Sequence, residues 1–193
     1  MLNREKALKS VKENNIVDHT GIKIQESPFV EKINLRFDPN NKNFMSSCGK
    51  ILGILLPTKP NTVTQNEKIK AIWLGPDEWL VTNEEENNLL IKLKNQVGDI
   101  EASVTDVSEN RTIIRIYGEK IYILLSKFLT LDLEKSLPNQ YSCAQTLFVK
   151  VPVLLVRNNN DRTVIPEFDI FTNRSHANYI YKILVDGTKN LDF

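Results

Sequence analysis

Glycine is scarce in this 193-residue chain: there are seven, and no two stand two apart. A dinucleotide-binding Gly-x-Gly-x-x-Gly turn or a Walker loop cannot be written on those positions. Phosphate cradling by the usual βαβ turn is therefore not expected. Cysteine is scarcer still, with Cys48 and Cys143 alone. Two cysteines make no disulfide framework, and a reduced cytoplasmic setting is expected. The two histidines, His19 and His176, lie far apart, with no Cys or carboxylate at ligand spacing, so no metal site is expected. Charge of one sign is missing as well. Lys and Arg number 25 against 24 Asp and Glu, which leaves +1 and no field for nucleic acid. No apolar run approaches the roughly 18 residues that span a bilayer. The first residues carry Arg4, Lys6, Lys9 and Lys12 but also Glu5 and Glu13, without an apolar core segment, so no targeting peptide is expected.

What is present is apolar patterning, at 41% of residues, in a chain long enough to bury about 70% of its extended surface. Its densest stretch is Ile69 to Asn83, two apolar runs around Gly75-Pro76-Asp77-Glu78. Pro76 suits the start of a type I turn, and the stretch reads as a β-hairpin. With a four-residue loop, Leu74 pairs with Trp79, Trp73 with Leu80 and Ile72 with Val81. Ile72, Leu74, Trp79 and Val81 then share one face; Ala71, Trp73 and Leu80 share the other. Neither face is polar, so the hairpin is expected to be central and covered on both sides. Some apolar surface near Trp79 and the tip is expected to lie outside the chain's own core and to meet another protein.

Around the hairpin the pattern reads as two lobes. Residues 1–32, with scattered Leu2, Leu8, Val11 and Ile16, read as an N-terminal arm. Ile33 to Phe37 reads as a strand and Asn40 to Leu52 as a helix closed near Gly53, with Leu55 to Gln65 a loop. A second helix is expected to start at Thr82-Asn83, with Glu84, Glu85 and Glu86 in its first turn and Leu89, Leu90, Leu93 and Val97 buried. Strands follow at Ile100 to Val107 and Arg111 to Tyr117, then a helix at Glu119 to Leu129. Ala144 to Val149 and Val151 to Val156 read as strands interrupted by Pro152, which implies an edge or a bulge. A strand at Phe168 to Thr172 and a helix at Arg174 to Leu184 complete the order. The expected fold is α+β: two ferredoxin-like (split βαβ) lobes side by side, about 33–108 and 109–186, within one domain over 33–193.

Candidate chemistry is thin. Asp77 and Glu78 could be paired acid-base carboxylates, or a solvated or partner-facing turn. Asp106 could pair with Arg111 or close an Asx-turn. Arg174 could hold an anion at a helix start, or serve as a cap or interface residue. Cys48 sits on an apolar helix stripe and reads as core. No catalytic, cofactor-binding or metal residue is assigned; Trp79, Asp77, Glu78 and Arg174 are the expected interface residues.

One resemblance covers residues 30 to 186. Leu-Gly-Pro-Asp-Glu-Trp-Leu (Leu74 to Leu80) resembles the signature of the γ subunit of heterotetrameric sarcosine oxidase. Asn34-Leu35-Arg36, Leu52-Gly53-Ile54 with Leu56-Pro57, Asn61-Thr62, Asp106-Val107-Ser108, Leu131-Asp132-Leu133, Ala144-Gln145-Thr146 and Arg174-Ser175 agree in order and spacing. The second lobe also resembles the N-terminal part of folate-dependent aminomethyltransferases. There the two strands after Gln145 are separated by a Gly-Gly segment with paired aspartates, whereas Val149-Lys150-Val151-Pro152-Val153-Leu154 has neither. The resemblance implies a non-catalytic subunit partnered by alpha, beta and delta subunits. The complex would demethylate sarcosine oxidatively to glycine, pass the one-carbon unit to tetrahydrofolate and reduce oxygen to peroxide. FAD, FMN, NAD and tetrahydrofolate would be carried by the larger subunits, and none by this chain. A stand-alone folate-binding module in one-carbon metabolism and a small-ligand regulatory domain of ferredoxin-like type remain the alternatives.

Overall fold

A computed structural model describes residues 5–8, 16–17, 21–85, 88–159, 165–189 and 191. Leu2, Val11, His19 and Glu86 from the sequence reading lie outside them. The chain divides into two compact units, one of residues 29–109 and one of residues 1–28 with 110–193.

The first unit is built on the alternation of Ile33, Leu35 and Phe37 in β3 (Glu31–Phe37), whose side chains all point into a core. α1 (Lys42–Leu52) follows, capped by the Asn41 side chain on the Phe44 amide and ended by Gly53 at φ 64°. Then come β4 (Val63–Gln65), β5 (Ile69–Gly75), β6 (Glu78–Asn83), α2 (Leu89–Val97) and β7 (Ala102–Asp106). The sheet order is β4-β5-β6-β3-β7, all antiparallel. Without β4, this is the split βαβ order of a ferredoxin-like lobe. α1 and α2 cover one face through Phe44, Cys48, Leu52, Leu89 and Leu93.

Three expectations change here. Val63–Gln65 is a strand paired with β5, not loop. α2 starts at Leu89 rather than at Thr82-Asn83, because β6 stays paired with both neighbours through Asn83. The negative charge at the helix start comes from β3, where Glu31 accepts from the Leu90 amide at 3.4 Å. The hairpin register also differs: Trp73 pairs with Trp79 and Ile72 with Leu80, with a bulge between Trp73 and Gly75. The loop is only Pro76-Asp77, and the bulge absorbs Leu74. A one-residue slip moves every side chain to the other face. Both tryptophans therefore share a face, while Ile72 and Leu80, fully buried, take the opposite one.

The second unit repeats the scheme with its strands drawn from both ends of the sequence. It holds β1 (Ile16–Val17), β2 (Ile22–Glu26), β8 (Arg111–Gly118), α3 (Ile121–Ser126), α4 (Leu133–Ser136), β9 (Cys143–Phe148), β10 (Val151–Arg157), β11 (Glu167–Asn173) and α5 (Ala177–Thr188). The order is β1-β2-β8-β11-β10-β9. Position for position, β2 stands beside β8 as β7 stands beside β3 in the first unit. Where an arm was expected, Ile22–Glu26 is thus a strand of this sheet, with Ile22 and Ile24 buried in its core. Pro152 lies inside β10, where β9 pairs along its whole length without a bulge. β11 pairs only with Leu154–Arg157, so Pro152 needs no amide on that side.

Two glycines hold this unit tight. Gly118 has φ 151°, and a Cβ there would meet the Gly21 carbonyl oxygen at 2.3 Å. A Cβ on Gly187 would meet the Phe128 ring at 2.5 Å, so α5 packs closely on the segment after α3.

Candidate functional site

The hairpin tip holds its two acids in internal contacts. Asp77 pairs with Arg36 at 3.0 Å, both about half exposed, and its carbonyl accepts from the Phe37 amide at 3.1 Å. The pairing raises the Arg36 pKa, through its hydrogen bond to Asp77 first and the charges of Asp77 and Glu78 after it. Glu78 accepts from Asn34 Nδ2 at 2.7 Å. Both carboxylates are thereby tied to β3, in the first unit's own sheet. That arrangement shapes a turn; it supplies no general acid and base across a cleft.

Trp79 lies elsewhere than expected. Its side chain is fully buried, 4.9 Å from the Phe37 ring, and its Nε1 donates to the Pro57 carbonyl at 2.7 Å. Its burial among β3, α1 and α2 makes it a core residue that cannot face a partner, which corrects the sequence reading. Trp79 and Val81 pair with Leu35 and Ile33 of β3, and all four lie on the face that the helices cover.

Arg174 stands in a 3-10 turn, Arg174–His176, just before α5. Its amide donates to the Asn110 carbonyl at 2.9 Å, and its guanidinium donates to the Glu5 carbonyl. It ties the second unit's own segments together. Asp106 closes an Asx-turn, accepting from the Ser108 amide at 2.9 Å.

Three polar constellations escaped the sequence reading. Glu26, at the end of β2, accepts the Ala7 and Leu8 amides at 2.9 and 3.0 Å and the Thr112 hydroxyl at 2.6 Å. Arg115 grips the buried Asp169 carboxylate with Nε at 2.8 Å and Nη2 at 3.1 Å, directly across β8 and β11. Lys32 is buried; its Nζ donates to the Val30 and Ser108 carbonyls at 2.9 and 3.3 Å and lies 4.9 Å from the Phe29 ring centre. Its amide donates to Ser108 Oγ at 2.8 Å. Thr112, Asp169 and Ser108 lie 54 to 86 residues from the side chains they meet, which leaves no local spacing to read.

Among the described residues, no three His, Cys, Asp or Glu side chains cluster so as to hold a metal. Burial pushes the Cys48 thiol up to about 11 and the Cys143 thiol up to about 12, the direction that makes a thiol inert. Ser27 Oγ, Thr172 Oγ1 and His176 Nδ1 are buried without a hydrogen-bond partner. Among the described residues no helix is long and apolar enough to cross a membrane.

Comparison with known proteins adds what the side chains alone do not. Residues 36–190 match the sarcosine oxidase, gamma subunit family. The sarcosine oxidase subunit gamma of Corynebacterium sp. (strain P-1) is 26% identical over 155 residues, 80% of this chain and 76% of that relative. A chain of the heterotetrameric sarcosine oxidase from Corynebacterium sp. U-96, solved with pyrrole 2-carboxylate, superposes with a TM-score of 0.78 at 25% identity. That match covers 89% of this chain and 86% of the other. Glycine cleavage system aminomethyltransferase T from Bartonella henselae shares the fold at a TM-score of 0.60 and 15% identity, over 46% of its own length.

Proposed function

The chain belongs to the sarcosine oxidase gamma subunit family, and we propose that it is the non-catalytic partner in a heterotetrameric oxidase with alpha, beta and delta subunits. Membership rests on the match over residues 36–190, which includes strands and helices of both units. In this reading the complex demethylates sarcosine to glycine oxidatively and passes the one-carbon unit to tetrahydrofolate. FAD, FMN, NAD and the folate are carried by the larger subunits. What supports a structural role is the way this chain spends its polar side chains. Asp77, Glu78, Glu26, Asp169 and Arg174 all engage backbone or side-chain groups of this same chain.

Asp77, Glu78 and Arg174 are proposed as contact residues of the assembly, because each keeps part of its surface exposed while its geometry is fixed from behind. The test is co-expression of the tagged chain with the larger subunits. They are expected to co-purify in fixed stoichiometry, with flavin absorption in the complex and none in the chain alone. A stoichiometric flavin or nicotinamide cofactor on the chain by itself overturns the reading, as does a failure to co-purify.

A further inference from the structure

We propose that the tip of the β9–β10 hairpin is a docking surface of this chain, seated in an apolar recess edged by a carboxylate on a larger subunit of the oxidase. The proposal rests on the subunit reading above.

The turn is Val149-Lys150, closed by the pair Phe148 and Val151. Val149 has φ 58°, a left-handed conformation at the first position of a two-residue hairpin loop. Glycine, asparagine or aspartate is usual in such loops, and a β-branched residue with positive φ is an outlier. What the fold takes from this position is its amide, donated to the Phe128 carbonyl at 2.9 Å, which any residue but proline supplies. The valine side chain itself is 42% exposed. The fold thus holds a disfavoured residue and leaves its side chain part-exposed at the tip. Strain kept at an exposed position points to use outside the fold.

The neighbours agree. Leu147 is 54% exposed and pairs directly with Pro152, also exposed, so the two share a face beside the turn. β11 pairs no further towards the tip than Leu154, so there β10 has β9 as its strand partner. From Cys143 to Arg157 there is no carboxylate, and the exposed cation at the tip is Lys150. An apolar knob with one positive charge fits an apolar recess with an acidic rim. A second copy fits less well, since a two-fold contact of tips sets one Lys150 against the other.

The experiment compares wild type, Val149→Gly, Leu147→Ser and Lys150→Glu in the full chain, by affinity for the larger subunits and by thermal unfolding of the purified chain. Val149→Gly is expected to leave Tm unchanged or raised while weakening association about tenfold or more. Leu147→Ser is expected to weaken it likewise, and Lys150→Glu to slow association most at low salt. A merely structural turn gives the reverse, a lowered Tm with association intact, and overturns the proposal. Variants that all bind as wild type overturn the tip but leave the subunit reading standing; a wild-type chain that binds no larger subunit overturns both. Self-association of the wild type that these variants abolish identifies a second copy as the occupant and overturns the choice of partner.

Discussion

Trp79 illustrates how one side chain carries two demands at once. It fills the space between β3 and the helices of its unit, and its indole N–H must find an acceptor there, which Pro57 supplies. Trp79→Ala removes both, and truncation of a large buried aromatic costs about 3–5 kcal/mol. The expected outcome is a chain with a much lower denaturation midpoint in urea; a change under about 1 kcal/mol would place Trp79 outside the core. The two thiols give a second residue-scale test. With the folded pKa of Cys48 at about 11 and of Cys143 at about 12, neither should react with a thiol reagent at pH 8 until the chain unfolds. Because both values are raised, the linked stability is fully present below the ordinary thiol pKa of 9. It is lost as pH climbs towards 11 to 12. Cys48→Ala should flatten the thiol part of that alkaline loss. Gly118→Ala places a Cβ 2.3 Å from the Gly21 carbonyl oxygen, so the β2–β8 contact must part; a markedly lowered Tm is expected.

At the scale of elements, the hairpin β5–β6 and the strand β2 each depend on contacts remote in sequence. The hairpin tip is tied to β3 by Arg36 with Asp77 and by Asn34 with Glu78. Changing Asp77 to Asn and Glu78 to Gln keeps the shapes and removes the charges. Turnover of the assembled complex should then stay within a few-fold, whereas lost general acid-base catalysis costs about 10²–10⁴. The Glu26 clasp is tested by amide exchange. Ala7 and Leu8 should be protected in the wild type and should exchange faster by an order of magnitude or more in Glu26→Ala, without global unfolding.

For the whole molecule, the order of strands decides what can be removed. The family match begins at residue 36, yet β2 at Ile22–Glu26 belongs to the sheet of the second unit. Deleting residues 1–28 leaves β8 without its neighbour on that side and opens the core around Ile114 and Ile116. An exposed, apolar edge of that kind is an aggregation site. The truncated chain is expected to be insoluble or to bind a hydrophobic dye, although the matched region is intact. A soluble truncation with the wild-type circular dichroism and Tm would show that β2 is dispensable.

Local periodicity determined many of the strands and helices, though not β2 or β4. Ile33, Leu35 and Phe37 alternate, and Ile121, Leu124, Leu125 and Phe128 recur at helical spacing; both patterns reappear as buried faces. The same patterns gave the α+β class, and the motif around Leu74 to Leu80 gave the family. Register, partnership and burial were decided only in three dimensions. One bulge residue shifted β5 against β6 and brought the two tryptophans to one face, while the pairing of β6 with β3 put Trp79 in the core. The edge beside β8 had a place for one more strand, and it took Ile22–Glu26 from the other end of the chain. A run of apolar residues fixes its own conformation through neighbours three or four positions away, but which strand it pairs with depends on the whole sheet. Glu26 with Thr112, Arg115 with Asp169 and Lys32 with Ser108 are products of that pairing.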